Sequence, residues 1–121
     1  MSDKTQDLGD LQKKIVKFRD DRDWKKFHNV KDMALSLSLE ASELLEVFQW
    51  KNEEDVKSLL KDNPDKISDE LADVLYWILL ISHDLNIDII KELSRKIQVN
   101  IDKYPISKAK GVSTKYTEFD K

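Results

Sequence analysis

Residues 74–81 form an unbroken apolar run, VLYWILLI, set between Asp73 and Ser82. Wound as a helix, the run is apolar all the way round, and such a helix has to be covered on every side. It is too short to cross a bilayer, which needs roughly 18 to 20 apolar residues. The chain around it has 121 residues, the size of one ordinary domain spanning 1–121. Three further helices of so short a chain do not suffice to enclose the run. It therefore predicts a subunit interface, and a symmetric homo-oligomer is the usual form. Gly and Pro occur only twice each. That scarcity excludes β-rich folds, which need turn residues at every hairpin, and the expected class is all-α with long helices.

Charge narrows the partners. Twenty-four acidic side chains against 21 basic ones give a net charge of −3, so no nucleic-acid partner is expected, because such binders carry a basic face. The absence of cysteine excludes a disulfide framework, a thiolate nucleophile and a Cys-ligated zinc. Residues 1–9 are polar and lack the apolar core of a signal peptide. A soluble, cytoplasmic protein without a membrane partner is the expectation.

Leu8, Leu11, Ile15 and Phe18 recur at helical spacing, with Lys13, Lys14 and Lys17 opposite, which predicts a first helix over about 7–20. Residues 21–29 break the pattern and carry Trp24, Phe27 and His28, an aromatic connecting loop. Asn29 is an N-cap for a second helix running from 30 to about 50. One or two helical turns are expected over 53–61. Asn63-Pro64 reads as a cap and first-turn proline opening a third helix that ends near Asp84. After a joint at 85–87, a fourth helix ends by Tyr104, because Pro105 follows. The tail 105–121 reads as irregular, pinned by Tyr116 and Phe119.

Two acidic pairs carry the chemistry. Glu40 and Glu43 sit three apart on the second helix, Glu70 and Asp73 three apart on the third, so each pair shares one stripe. The spacing recurs elsewhere, as in Asp7/Asp10 and Asp62/Asp65; placement is what distinguishes these two. Glu40 and Glu43 fall among Met33, Leu44 and Val47, and Glu70 and Asp73 among Val74, Trp77 and Ile81. Charge on an apolar stripe is costly unless paired or metal-bound, and only Lys66 lies near either stripe. Four carboxylates make an all-oxygen site suited to Mg²⁺ or Mn²⁺, with a phosphorylated ligand completing the shell. A di-iron site would need Glu-x-x-His pairs, and Lys25 and Leu80 stand where those acids belong. The plain structural alternative is that the acids are solvated or meet lysines across the bundle.

Trp24, His28, Phe48, Trp50 and Trp77 offer stacking surfaces for a base, although Phe48 and Trp77 also suit a core. Lys96, Asn100 and Lys103 share one face of the fourth helix, where lysines ordinarily meet solvent. Asn100, beside Leu93, Ile97 and Tyr104, is an amide in want of partners.

On these residues the sequence resembles the MazG-like nucleoside triphosphate pyrophosphohydrolases, in particular their dCTP pyrophosphatase branch, which includes small integron-borne members. The family signature, Glu-x-x-Glu followed by Glu-x-x-Asp, stands here as Glu40-Ala41-Ser42-Glu43 and Glu70-Leu71-Ala72-Asp73. The branch text covers RDWKKFH at 22–28, LEASELLEVFQW at 39–50, DELADVLYW at 69–77, KIQVN and KYP within 96–105, and KAKGVSTKYTEF at 108–119. The resemblance implies an all-α MazG-like fold whose four-helix-bundle core is completed by dimerisation, with dimers paired into a tetramer. It implies Mg²⁺-dependent cleavage of a (deoxy)nucleoside triphosphate, dCTP or a modified dCTP, to monophosphate and pyrophosphate. Glu40, Glu43, Glu70 and Asp73 would hold the metal. Glu43, or Glu40, would act as the base. Trp24, His28, Trp50, Lys96, Asn100, Lys103 and Tyr104 would line the nucleotide site. Other expectations stay open: a dUTPase-like or phosphoribosyl-ATP pyrophosphohydrolase activity on the same scaffold, and a non-enzymatic helical interaction module.

Overall fold

The computed structural model describes residues 6–120; Met1–Thr5, the polar start of the chain, and Lys121 lie outside the described residues. Six α-helices and two single 3₁₀ turns account for all regular structure among the described residues, without a strand. The all-α class is thus observed. No described helix is long and apolar enough to cross a membrane.

The chain divides into two compact units, Met1–Asn86 and Ile87–Lys121. The first contains α1 (Leu8–Asp21), α2 (Val30–Phe48), α3 (Glu53–Asp62) and α4 (Asp65–Asp84). α4 is its centre, packing along α2 and less extensively against α1. Local chemistry sets the helix starts. Asp7 and Asn29 cap α1 and α2 by accepting from Asp10 N and Asp32 N, each at 2.8 Å. α3 is a little longer than the one or two turns expected, and Asn52 and Asp55 fix its start with a full capping box. Pro64 takes helical φ and ψ ahead of α4, as a first-turn proline should. Between α1 and α2 the expected loop contains a 3₁₀ turn, Lys25–Phe27.

The buried apolar core is small: Met33 and Val47 from α2, Leu79 and Leu80 from α4. Gln12 Nε2 donates to Leu79 O (2.8 Å) and to Ser82 Oγ (3.1 Å), tying α1 to α4. The run 74–81 is not covered all round within one chain; Leu75 stays 40% exposed, and Leu35, Leu39, Leu45 and Leu71 are exposed as well.

The second unit holds α5 (Ile89–Lys103), capped by Asp88, and α6 (Ile106–Ala109). The tail expected to be irregular contains α6 and a 3₁₀ turn at Tyr116–Glu118. Both are too short to leave a periodic signal. Tyr104 meets Tyr116 and Phe119 edge to face at 5.7 and 5.6 Å, so those two aromatics do pin the tail.

Candidate active site

Because α2 and α4 pack side by side, the i, i+3 acids of each helix are brought together. One carboxylate oxygen from each of Glu40, Glu43 and Glu70 lies within 4.8 Å of the others. Asp73 does not join that tight group, but it is close enough for its charge to act on both Glu40 and Glu70. Glu40 Oε2 and Glu70 Oε2 are buried without a hydrogen-bond partner. Burial, then the hydrogen bond and charge of Glu43, then Asp73 and Glu70, push the Glu40 carboxyl up from 4.5 to about 7. Burial and Glu43 lead the causes that raise Glu70 too, with Asp73 and Asp69 adding. Like charges crowded without a counter-ion, two of them with orphaned oxygens, leave a gap that a hard divalent cation fits. Lys66 makes no ion pair among the described residues and does not neutralise the cluster.

The cluster is reached from two cavities. The larger, about 760 Å³, takes Glu40 and Asp73 as its acidic side and is otherwise lined by Ile15, Phe18, Trp24, His28, Tyr76 and Trp77, with Lys14 the one cation among the lining residues. Its aromatics form a chain of edge-to-face contacts: Trp24 to Phe18 at 5.6 Å, Phe18 to Tyr76 at 6.5 Å, Tyr76 to Trp77 and Trp77 to His28 at 5.2 Å each. His28 Nδ1 is buried and unpartnered. Burial, and then the charge of Arg19, lower the His28 pKa against the opposing pull of Asp84, which favours the neutral imidazole. A cavity with aromatic walls and an unpartnered ring nitrogen on one of them can hold a heterocycle and read its edge. The smaller cavity, about 350 Å³, is lined by Glu43, Glu46, Val47, Lys66 and Glu70.

Of the site residues expected from sequence, Glu40, Glu43, Glu70, Asp73, Trp24 and His28 are brought together here. Trp50 is 91% exposed and does not line either cavity. Lys96, Asn100, Lys103 and Tyr104 belong to the second unit, where Lys103 Nζ lies 4.8 Å from the Tyr116 ring centroid. Phe48 is half-buried. Sequence reasoning missed Lys14, Ile15, Phe18 and Tyr76. Three of these sit on apolar stripes that read as core, and nothing local distinguishes core from cavity wall.

Acids paired across two helices, beside an aromatic cavity in an all-helical unit, define a recognisable class. The MazG-like family pattern matches residues 35–119, and the chain belongs to that family. That match contains all four acids of the two pairs. dCTP pyrophosphatase 1 of Homo sapiens is 31% identical over 113 residues, which cover 92% of this chain and 66% of the human protein. The protein of the same name from Rattus norvegicus is 28% identical with the same coverage. The chain thus spans just under two thirds of the length of these curated relatives. A crystal structure of a pyrophosphatase from Archaeoglobus fulgidus superposes with a TM-score of 0.76 at 33% identity, covering 87% of this chain and 98% of that one.

Proposed function

We propose that this chain is a nucleoside triphosphate pyrophosphohydrolase, cutting between the α and β phosphates of a (deoxy)nucleoside triphosphate, with dCTP or a modified dCTP as substrate. The observation that carries the reading is the uncompensated acid cluster of Glu40, Glu43 and Glu70, whose Glu40 lines an aromatic cavity; the activities named for the relatives agree with it. Glu40, Glu43, Glu70 and Asp73 would hold Mg²⁺ or Mn²⁺, which would supply neutralisation of the triphosphate and polarisation of the phosphorus under attack.

The chain's own groups do the rest. The base lies in the larger cavity against Trp24 and Trp77, with His28 Nδ1 toward its edge. The terminal phosphates point to the smaller cavity, where Lys66 is the lining cation. Glu43, with Glu40 as the other candidate, accepts the proton of the attacking water, and the bond to the bridging oxygen breaks as pyrophosphate leaves. Nucleotide contacts through Trp50, Lys96, Asn100, Lys103 and Tyr104 rest on the matched text alone. A homo-oligomer, a dimer or a pair of dimers, covers the exposed leucines of α2 and α4, because four buried apolar side chains among the described residues make a thin core for a domain of this size. Free nucleotides as substrate accord with a cytoplasmic setting.

The test is to incubate the protein with Mg²⁺ and each of dCTP, dATP, dTTP, dGTP and dUTP and to measure pyrophosphate. Release from dCTP above the others is expected. A preference for dUTP gives the runner-up activity, and no release from any nucleotide overturns the enzymatic reading.

A further inference from the structure

Arg19 is the one charged side chain fully buried among the described residues. Its Nη1 and Nη2 donate to Asp84 Oδ2 and Oδ1 at 2.7 and 3.0 Å, and its Nε donates to Asp20 Oδ1 at 3.2 Å. The pair joins the last turn of α1 to the last residue of α4. The main chain of Arg19 has a second role. Its carbonyl oxygen accepts from Arg22 N and from Trp24 N, both at 3.2 Å. One residue therefore grips α4 with its side chain and the start of the aromatic loop with its backbone. From that anchor the chain passes the left-handed Asp23 (φ 54°) and the 3₁₀ turn to reach His28.

Stability alone does not account for the pair. Two charges taken out of water lose hydration, and an apolar pair of similar volume often holds elements together as well or better. What an apolar pair lacks is the fixed orientation of a two-pronged guanidinium–carboxylate contact. That orientation matters here because the loop and α4 each contribute a wall of the cavity, beside Ile15 and Phe18 of α1 and Glu40 of α2. Trp24 and His28 come from the loop, Tyr76 and Trp77 from α4, and the walls touch where His28 meets the edge of Trp77.

We propose that Arg19 and Asp84 are a positioning pair that sets the spacing between the loop wall and the α4 wall of the cavity, and thereby the affinity for the nucleoside. The inference rests on the reading of that cavity as the nucleoside site. Neither residue lines the cavity, so the pair acts through Trp24 and His28 and not on the reacting atoms.

Two variants and two readouts test it. Arg19→Lys keeps the charge and loses the two-pronged contact; Arg19→Met/Asp84→Leu replaces the pair with apolar volume. Assays run well below the melting temperature of each variant. In both, KM for every accepted nucleotide should rise by about tenfold, the scale of one misplaced stacking wall. The kcat should stay within about twofold, since the acids are untouched. The double variant should melt as the wild type does. A double variant with wild-type melting and wild-type KM makes the pair purely structural and overturns the proposal. The second readout needs no nucleotide. Amide hydrogen exchange in 22–28 should quicken by about tenfold in Arg19→Lys, with 40–47 and 70–77 unchanged. Exchange that is unaltered in the loop overturns the proposal even if Arg19→Met/Asp84→Leu fails to fold. If the wild type releases no pyrophosphate while loop exchange responds as stated, the functional reading falls and the positioning role survives.

Discussion

α4 sets its carboxylates against other charged groups in two places, and they are built in opposite ways. In its first half, Glu70 and Asp73 face Glu40 and Glu43 of α2, acids against acids with two buried oxygens unpartnered. At its last residue, Asp84 meets the fully buried Arg19 with both oxygens satisfied. The second arrangement is complete within the chain. The first is complete only when something positive arrives. A folded chain keeps such an unfinished group where a ligand finishes it, so the pair of sites separates architecture from chemistry on one helix.

The same substitution at the two places should break this contrast open. Asp73→Asn removes one acid from a crowd, relieves repulsion and leaves the metal-free fold melting at the wild-type temperature or above it. Pyrophosphate release should fall by about 10²- to 10³-fold, the scale on which one electrostatic contact to a transition state acts. Asp84→Asn takes the two-pronged counter-charge from a buried guanidinium and leaves it only Asp20 at Nε, a loss of up to about 3–5 kcal/mol, while kcat at a permissive temperature survives. Denaturant melts and initial rates on the two proteins settle the matter. Turnover retained in Asp73→Asn would take that residue out of the site, and a wild-type melt for Asp84→Asn would make the pair dispensable.

Acidity offers a gentler probe of the same difference. Glu40 is raised from 4.5 to about 7, so between those values the folded state holds more protons than the unfolded one. Stability from this group is full below about pH 4.5 and is lost as pH climbs toward 7. Asp84 runs the other way. Burial pushes its carboxyl up, but the hydrogen bonds and charge of Arg19, aided by His83 and Lys25, outweigh that and hold it below 3.8. Its contribution is present above the ordinary aspartate range and is lost as pH falls beneath it. Metal-free protein in a chelator should therefore melt progressively lower from pH 5 to 8, with Mg²⁺ flattening the decline and Glu40→Gln reducing it. A melting temperature that rises steadily over that span contradicts the cluster as described.

The two sites also differ in how much of them can be read from sequence. The cluster is legible because each half is local: i, i+3 spacing puts two acids on one stripe, and apolar neighbours betray the stripe as inward-facing. Asn29 and Pro105 declare helix ends for the same reason. Arg19 is invisible by that method. It stands in a helix already rich in Lys13, Lys14 and Lys17, so it reads as one more solvated cation, and its partner is 65 positions away. Ile15, Phe18 and Tyr76 are misread because a cavity wall and a core have the same periodicity. The start of α3 is legible at Asn52 and Asp55, whose capping box marks a helix N-terminus.

The smallest expected effect separates two tryptophans that look alike in sequence, one in a loop and one at a helix end. Trp24 lines the larger cavity, 42% exposed, with its ring against Phe18. Trp50 follows α2 with its indole almost wholly in solvent and its backbone in the left-handed region at φ 68°, a conformation that a β-carbon disfavours by about 1–2 kcal/mol. A base stacked on an indole gains about 1–3 kcal/mol, so Trp24→Ala should raise KM for all accepted nucleotides by roughly 5- to 150-fold. The Mg²⁺ requirement should persist. Trp50→Gly relieves the backbone and removes no packing within the chain, so it should melt no lower than the wild type and raise KM by less than about fivefold. Should Trp50→Gly cost as much in KM as Trp24→Ala, the indole must reach the nucleotide from a second copy, and activity would then fall on dilution. Should Trp24→Ala bind nucleotide normally and lose only melting temperature, the cavity wall is core and the nucleoside lies elsewhere.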